Sequence, residues 1–114
     1  MSNGTIIEMS ASNFREIVSN RKMTLINFTE ASGTSKELEQ VLQGMAQELS
    51  DRYVIGNLDV HQSLENKKLV YDYGVMDVPT LLLFFDGVLI KKIKGRTLED
   101  LRGELSGKNW WDLK

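Results

Sequence analysis

With 114 residues, 41% of them hydrophobic, the chain is long enough for one domain around one core and too short for two. Its 16 acidic and 14 basic residues are interspersed and leave a net charge of -2, so neither a basic field for nucleic acid nor a polybasic run for a membrane surface is present. Cysteine is absent, which excludes disulfide frameworks, thiolate metal sites and thiol redox chemistry in the chain as it stands.

In chain order, "GTIIEM" predicts a short strand. "ASNFREIVSN" predicts a helix with Phe14, Ile17 and Val18 on one face. "MTLINF" is a six-residue apolar run suited to a strand covered on both faces. From Ser35, Leu38, Val41, Leu42, Met45 and Leu49 keep helical period for about four turns. "YVIGNLDV" predicts the next strand, and Leu64 to Tyr73 a weaker helix closed by Gly74. "TLLLFFDGVLIKKI" predicts two strands joined at Asp86-Gly87, a strong hairpin signal. Thr97 then caps a last helix carrying Leu98, Leu101 and Leu105.

The resulting order β-α-β-α-β-α-β-β-α requires a mixed sheet with helices on both faces, because helical crossovers join parallel strands and the hairpin adds an antiparallel pair. Residues 1–107 are expected to form this domain and residues 108–114 a short tail. Two tryptophans in that tail, Trp110 and Trp111, are expected either to pack back on the domain or to meet a partner.

The N-terminus lacks a basic segment followed by an apolar one, and no stretch reaches the roughly 20 apolar residues of a membrane span. The expectation is a soluble, cytoplasmic protein. His61 is the single histidine, and no carboxylate cluster surrounds it at ligand spacing, so no metal site is expected. Nor is any other cofactor implied.

Three stretches carry candidate chemistry. Ser32-Gly33-Thr34-Ser35 lies between a strand and the N-terminus of the long helix, a common place for function in α/β proteins. Pro79, the only proline, immediately precedes the most apolar strand, and spacing alone favours a trans bond there. A glycine, Gly95, stands just before the last helix.

Together the element order, the loop-to-helix stretch, "GVMDVPTLLLFFDG" and "KIKGRTLEDLRGEL" resemble the thioredoxin family over nearly the whole chain. The resemblance implies a thioredoxin fold, with a mixed sheet of about five strands flanked by four helices, and a cis bond at Val78-Pro79. It also exposes a departure. Where the family has Trp-Cys-Gly-Pro-Cys-Lys, this chain resembles it with Ala31-Ser32-Gly33-Thr34-Ser35-Lys36. A serine hydroxyl is too weak an acid to replace the thiolate that attacks a disulfide, and it cannot resolve a mixed disulfide.

The departures extend beyond the sulfurs. The family's buried aspartate and its lysine partner, which move protons at the cysteines, match Asn27 and Asn57 by resemblance; Ala31 stands for the tryptophan, Thr34 for the proline and Thr29 for an aromatic residue. A designed inactivation changes sulfurs and leaves the rest. The expectation is therefore an inherited loss of redox chemistry, the alternative being a thiol-disulfide oxidoreductase carried as a double Cys→Ser variant.

For Ser32 and Ser35 the plainest role is helix capping, which stabilises by roughly 0.5 to 2 kcal/mol. A serine-hydrolase site built from Ser32, His61 and Asp59 lacks a Gly-x-Ser-x-Gly elbow and any evident way to orient the imidazole. We read His61 as a surface-loop histidine. What the resemblance implies instead is a peptide-binding groove lined by Ala31, Ser32, Gly33, Thr34, Ser35, Asp77, Val78, Pro79, Gly95 and Arg96, with Lys94 beside them, and a protein or peptide partner paired through backbone atoms.

Overall fold

The computed structural model describes residues 5–30, 36–48 and 50–93. Within them the order is β1 (Ile7–Met9), α1 (Ala11–Val18), β2 (Met23–Thr29), α2 (Lys36–Glu48), β3 (Tyr53–Asp59), α3 (Leu64–Asp72), β4 (Thr80–Phe85) and β5 (Val88–Ile93). The fourth helix expected from Thr97, and the tail with Trp110 and Trp111, lie outside the described residues.

The strands form one mixed sheet in the order β1-β3-β2-β4-β5. β3 is parallel to both β1 and β2, whereas β4 runs antiparallel to β2 and to β5. β2 is buried along its whole length, as befits a central strand covered on both faces. Its side chains alternate between two cores. Met23 and Leu25 point toward α2 with Leu38, Leu42, Ile55, Leu81 and Leu83. Ile26 and Phe28 face the α1 and α3 layer with Phe14, Val18, Leu58, Leu82 and Phe84. In that second core Phe84 meets Phe14 and Tyr73 edge-on, with ring centroids 5.5 and 5.4 Å apart, a favoured aromatic arrangement.

Local chemistry fixes the connections. Asp86 and Gly87 both take positive φ, at 52° and 83°, so the hairpin between β4 and β5 has the twist that a two-residue turn needs. The pairing of β4 with β5 shifts register between Leu83 and Phe84, which leaves Ile90 as an extra residue. α3 ends in a Schellman turn: Val75 N–H donates to the Val70 carbonyl at 2.9 Å and Gly74 N–H to the Tyr71 carbonyl at 3.1 Å, with Gly74 left-handed. Gly56 in β3 is packed against β1 so closely that an added Cβ would fall 2.3 Å from Met9 Sδ.

One buried polar residue ties three elements together. Asn66 is fully buried. Its Oδ1 accepts from the Ala11 N–H at 2.7 Å, its Nδ2 donates to the Asp59 carbonyl at 2.9 Å and to Gln62 Oε1 at 3.2 Å, and its N–H donates to the N-cap Ser63 Oγ at 3.0 Å. The amide thus joins the start of α1, the end of β3 and the first turn of α3. Asn66→Ala leaves the Ala11 N–H and the Asp59 carbonyl without these partners, and buried orphaned groups cost about 1 to 3 kcal/mol. We expect the variant to lose about 2 kcal/mol in chemical denaturation; an unchanged midpoint would show that water or a relaxed turn takes over both contacts.

Candidate functional site

Strand directions bring the candidate residues to one end of the sheet. β2 and β3 are parallel and end together, with Thr29 opposite Asp59. β4 is antiparallel to β2 and begins there, with Thr80 opposite Phe28. Consequently the chain leaving β2 at Glu30, the turn leaving β3 at Val60 to Gln62, and the segment Asp77-Val78-Pro79 entering β4 all meet at the same edge. Val60 N–H donates to the Thr29 carbonyl at 2.9 Å and fastens two of them.

Of the predicted groove residues, Asp77, Val78 and Pro79 are described; Ala31, Ser32, Gly33, Thr34, Ser35, Lys94, Gly95 and Arg96 lie outside the described residues. Asp77 is exposed, Val78 and Pro79 are half-buried, and Thr80 is buried. The Val78-Pro79 peptide is cis. Thr80 Oγ1 donates to the Asp77 carbonyl and closes this short turn. The Val78 side chain packs on the α1 and α3 core. Its main-chain N–H and carbonyl, in contrast, make no hydrogen bond among the described residues.

Beneath this edge, on the sheet face covered by α2, Asn27 and Asn57 stand directly opposite each other in the β2–β3 register. Asn27 Nδ2 donates to Asn57 Oδ1 at 3.1 Å. Asn27 is fully buried and Asn57 half-buried. An amide pair can orient itself by hydrogen bonding, but neither member takes up or releases a proton near neutral pH. The arrangement therefore supplies polarity and register below the site without acid–base capacity.

His61 lies past the end of β3, where its N–H donates to Asp59 Oδ1 at 2.9 Å. Its ring Nε2 is 3.2 Å from Glu30 Oε2, and both side chains are more than half exposed. The Asp59 carboxylate is thus turned toward the backbone and the imidazole toward Glu30, so these two do not form the base-and-orienter arm of a triad. The sequence reading overlooked the Glu30–His61 pair because its members are 31 residues apart and only the parallel end of β2 and β3 brings them together. Among the described residues no group of acidic, histidine or cysteine side chains has metal-site geometry. No helix there is long and apolar enough to cross a membrane.

Comparison with known proteins bears on this arrangement. The family model described as Thioredoxin matches residues 5–106. The thioredoxin of Bacillus subtilis (strain 168) is 34% identical over 77 residues, covering 68% of this chain and 71% of that protein. The thioredoxin of Mycobacterium tuberculosis is 32% identical over 92 residues, covering 80% and 77% respectively. Among solved structures, a point mutant of thioredoxin from Halobacterium salinarum aligns with a TM-score of 0.76 at 27% identity, over 92% of this chain and 90% of that one. Thioredoxin from Malassezia sympodialis aligns at 0.78 over 94% and 93%, with 18% identity, a likeness of fold.

Proposed function

The chain belongs to the thioredoxin family, and on that premise we propose that it is a redox-inactive member that binds a protein or peptide partner in the groove at the shared end of β2, β3 and β4. The observation that carries the first half is the Asn27–Asn57 pair. Removal of sulfur alone explains an inactive enzyme; an uncharged pair at the positions that resemble the family's proton-moving residues speaks for a site rebuilt without that chemistry. It also weighs against the alternative of an ordinary thioredoxin silenced by two Cys→Ser substitutions.

Support for the binding half comes from the Val78 main chain. A main-chain N–H and carbonyl without hydrogen bonds among the described residues, at the open end of a sheet, are what an extended segment needs in order to pair by strand addition. With Ala31 where the family has tryptophan, less apolar surface is offered, and specificity shifts toward backbone pairing and the exposed Asp77. We read the module as cytoplasmic, in keeping with its family.

Affinity capture from the native host, run with excess dithiol and followed by mass spectrometry, tests this reading when wild type is compared with Val78→Pro. Proline there has no N–H to offer a bound strand. We expect a partner retained in the presence of dithiol and lost by about tenfold or more with Val78→Pro, while thermal melting shows the variant folded. Equal recovery by both proteins would remove the groove as the binding site.

A further inference from the structure

α3 presents two unlike faces. Its inner stripe, Asn66, Leu69, Val70 and Tyr73, is fully or partly buried against the sheet and α1. The outer stripe, two residues out of phase, is Leu64, Lys67, Lys68 and Tyr71, which recur at the i, i+3, i+4, i+7 spacing of a single helical face. A solvent face is ordinarily polar, and here its two ends are large apolar residues: Leu64 is 79% exposed and Tyr71 87%. The anchors are about 10 Å apart along the axis, seven residues at 1.5 Å each.

Between them lie the two exposed lysines. The acidic residues on the same helix, Glu65 and Asp72, are spaced three and four residues from Lys68. Even so, neither Lys67 nor Lys68 makes an ion pair or side-chain hydrogen bond among the described residues. Two bare ammonium groups framed by two bare apolar anchors are complementary to a surface with carboxylates at its middle and apolar side chains at its ends.

We propose that the outer face of α3 is a second docking surface, separate from the groove, for an acidic amphipathic helix of another protein. A helix suits the site because its own side chains recur at three- and four-residue spacing, so that one straight face lays apolar residues on Leu64 and Tyr71 and carboxylates on Lys67 and Lys68. The aromatic anchor carries most of the affinity, while the lysines steer encounter and set register.

Selection of helix-forming peptides from a displayed library on the intact protein tests this, followed by titration of the winning peptide into labelled protein by NMR. We expect winners rich in Asp and Glu with apolar residues at helical spacing, and shifts centred on residues 64, 67, 68 and 71. Tyr71→Ala, and Lys67→Glu with Lys68→Glu, are each expected to weaken binding at least tenfold, the latter with loss of salt dependence; Glu39→Gln, on α2 across the sheet, leaves it unchanged. All of these positions are exposed, so the variants keep the parent's melting temperature. Winners without acidic enrichment, or binding indifferent to the α3 substitutions, overturn the proposal. So does binding to phosphatidylserine vesicles but not to peptides, or self-association that the same substitutions abolish.

Discussion

Asn27→Asp is expected to destabilise the protein by about 3 kcal/mol at pH 7 and by much less near pH 3. The side chain is fully buried, on the central strand, between Asn57 on β3 and Leu81 on β4. A carboxylate placed there leaves water for one amide and apolar neighbours, and burial of that kind raises the carboxyl pKa above its ordinary value of about 3.9. The sign follows from linkage. Because the unfolded chain gives up its proton at the lower, ordinary pKa, the folded state holds more protons across the interval above it, so stability falls as pH rises through that interval. Each pH unit of the interval costs about 1.4 kcal/mol, and a raise of about two units accounts for the figure given. Chemical denaturation of both proteins across pH 3 to 8 checks it. An aspartate variant as stable as the parent at pH 7 would mean that the carboxylate keeps its water, and that the Asn27–Asn57 pair is not a dry one.

Much of the fold was legible because apolar periodicity and turn chemistry are local signals. The six-residue run of β2, the helical spacing of Leu38 and Leu42, and Asp86-Gly87 each reflect one element's own geometry. The residues that hold elements together were harder to read. Asn66 sits in the first turn of a weakly amphipathic helix, and nothing in its own neighbourhood distinguishes a buried bridging amide from a solvated one. The close approach of Gly56 to Met9 depends on the β1–β3 pairing, which periodicity does not specify. Likewise the extra residue at Ile90 shifts the pairing of β5, where the sequence alone shows an ordinary strand with Lys91 and Lys92 ahead of Ile93.

The candidate site divides in the same way. Pro79 drew notice as the proline ahead of an apolar strand, whereas Asp77 and Val78 as groove residues, like Asn27 and Asn57, were assigned by resemblance to the family. That these two amides bond to each other is a consequence of strand register, two positions 30 residues apart facing across a ladder. For His61 the sequence drew attention to Asp59, its near neighbour, whereas the fold turns the imidazole to Glu30. The reading of His61 as a surface-loop residue agrees with its exposure; Asp59 ends the strand with its carboxylate bonded to the next turn's backbone, an arrangement typical of Asp at turns.

Redox chemistry, as we propose, was given up by the site as a whole and not only at the two positions where the family has cysteine. Restoring the sulfurs alone, as Ser32→Cys with Ser35→Cys, tests it. By family resemblance the two cysteines close a disulfide, and the helix N-terminus favours a thiolate at the first of them. Reduction of a protein disulfide also needs protons delivered and removed in step with bond exchange, and a positioned acid or base contributes about 10²- to 10⁴-fold to such steps. Asn27 and Asn57 offer neither, Ala31 gives a substrate less apolar contact than tryptophan, and Thr34 between the cysteines alters the redox poise. The direct measurement is the rate at which the double-cysteine protein reduces insulin under a fixed supply of dithiol, beside an ordinary thioredoxin. We expect a protein that forms its disulfide readily and turns over about 10²-fold more slowly, with part of the rate regained when Asn27→Asp and Asn57→Lys are added; turnover at the rate of the ordinary thioredoxin, from the two cysteines alone, would show that the site lacked only its sulfurs.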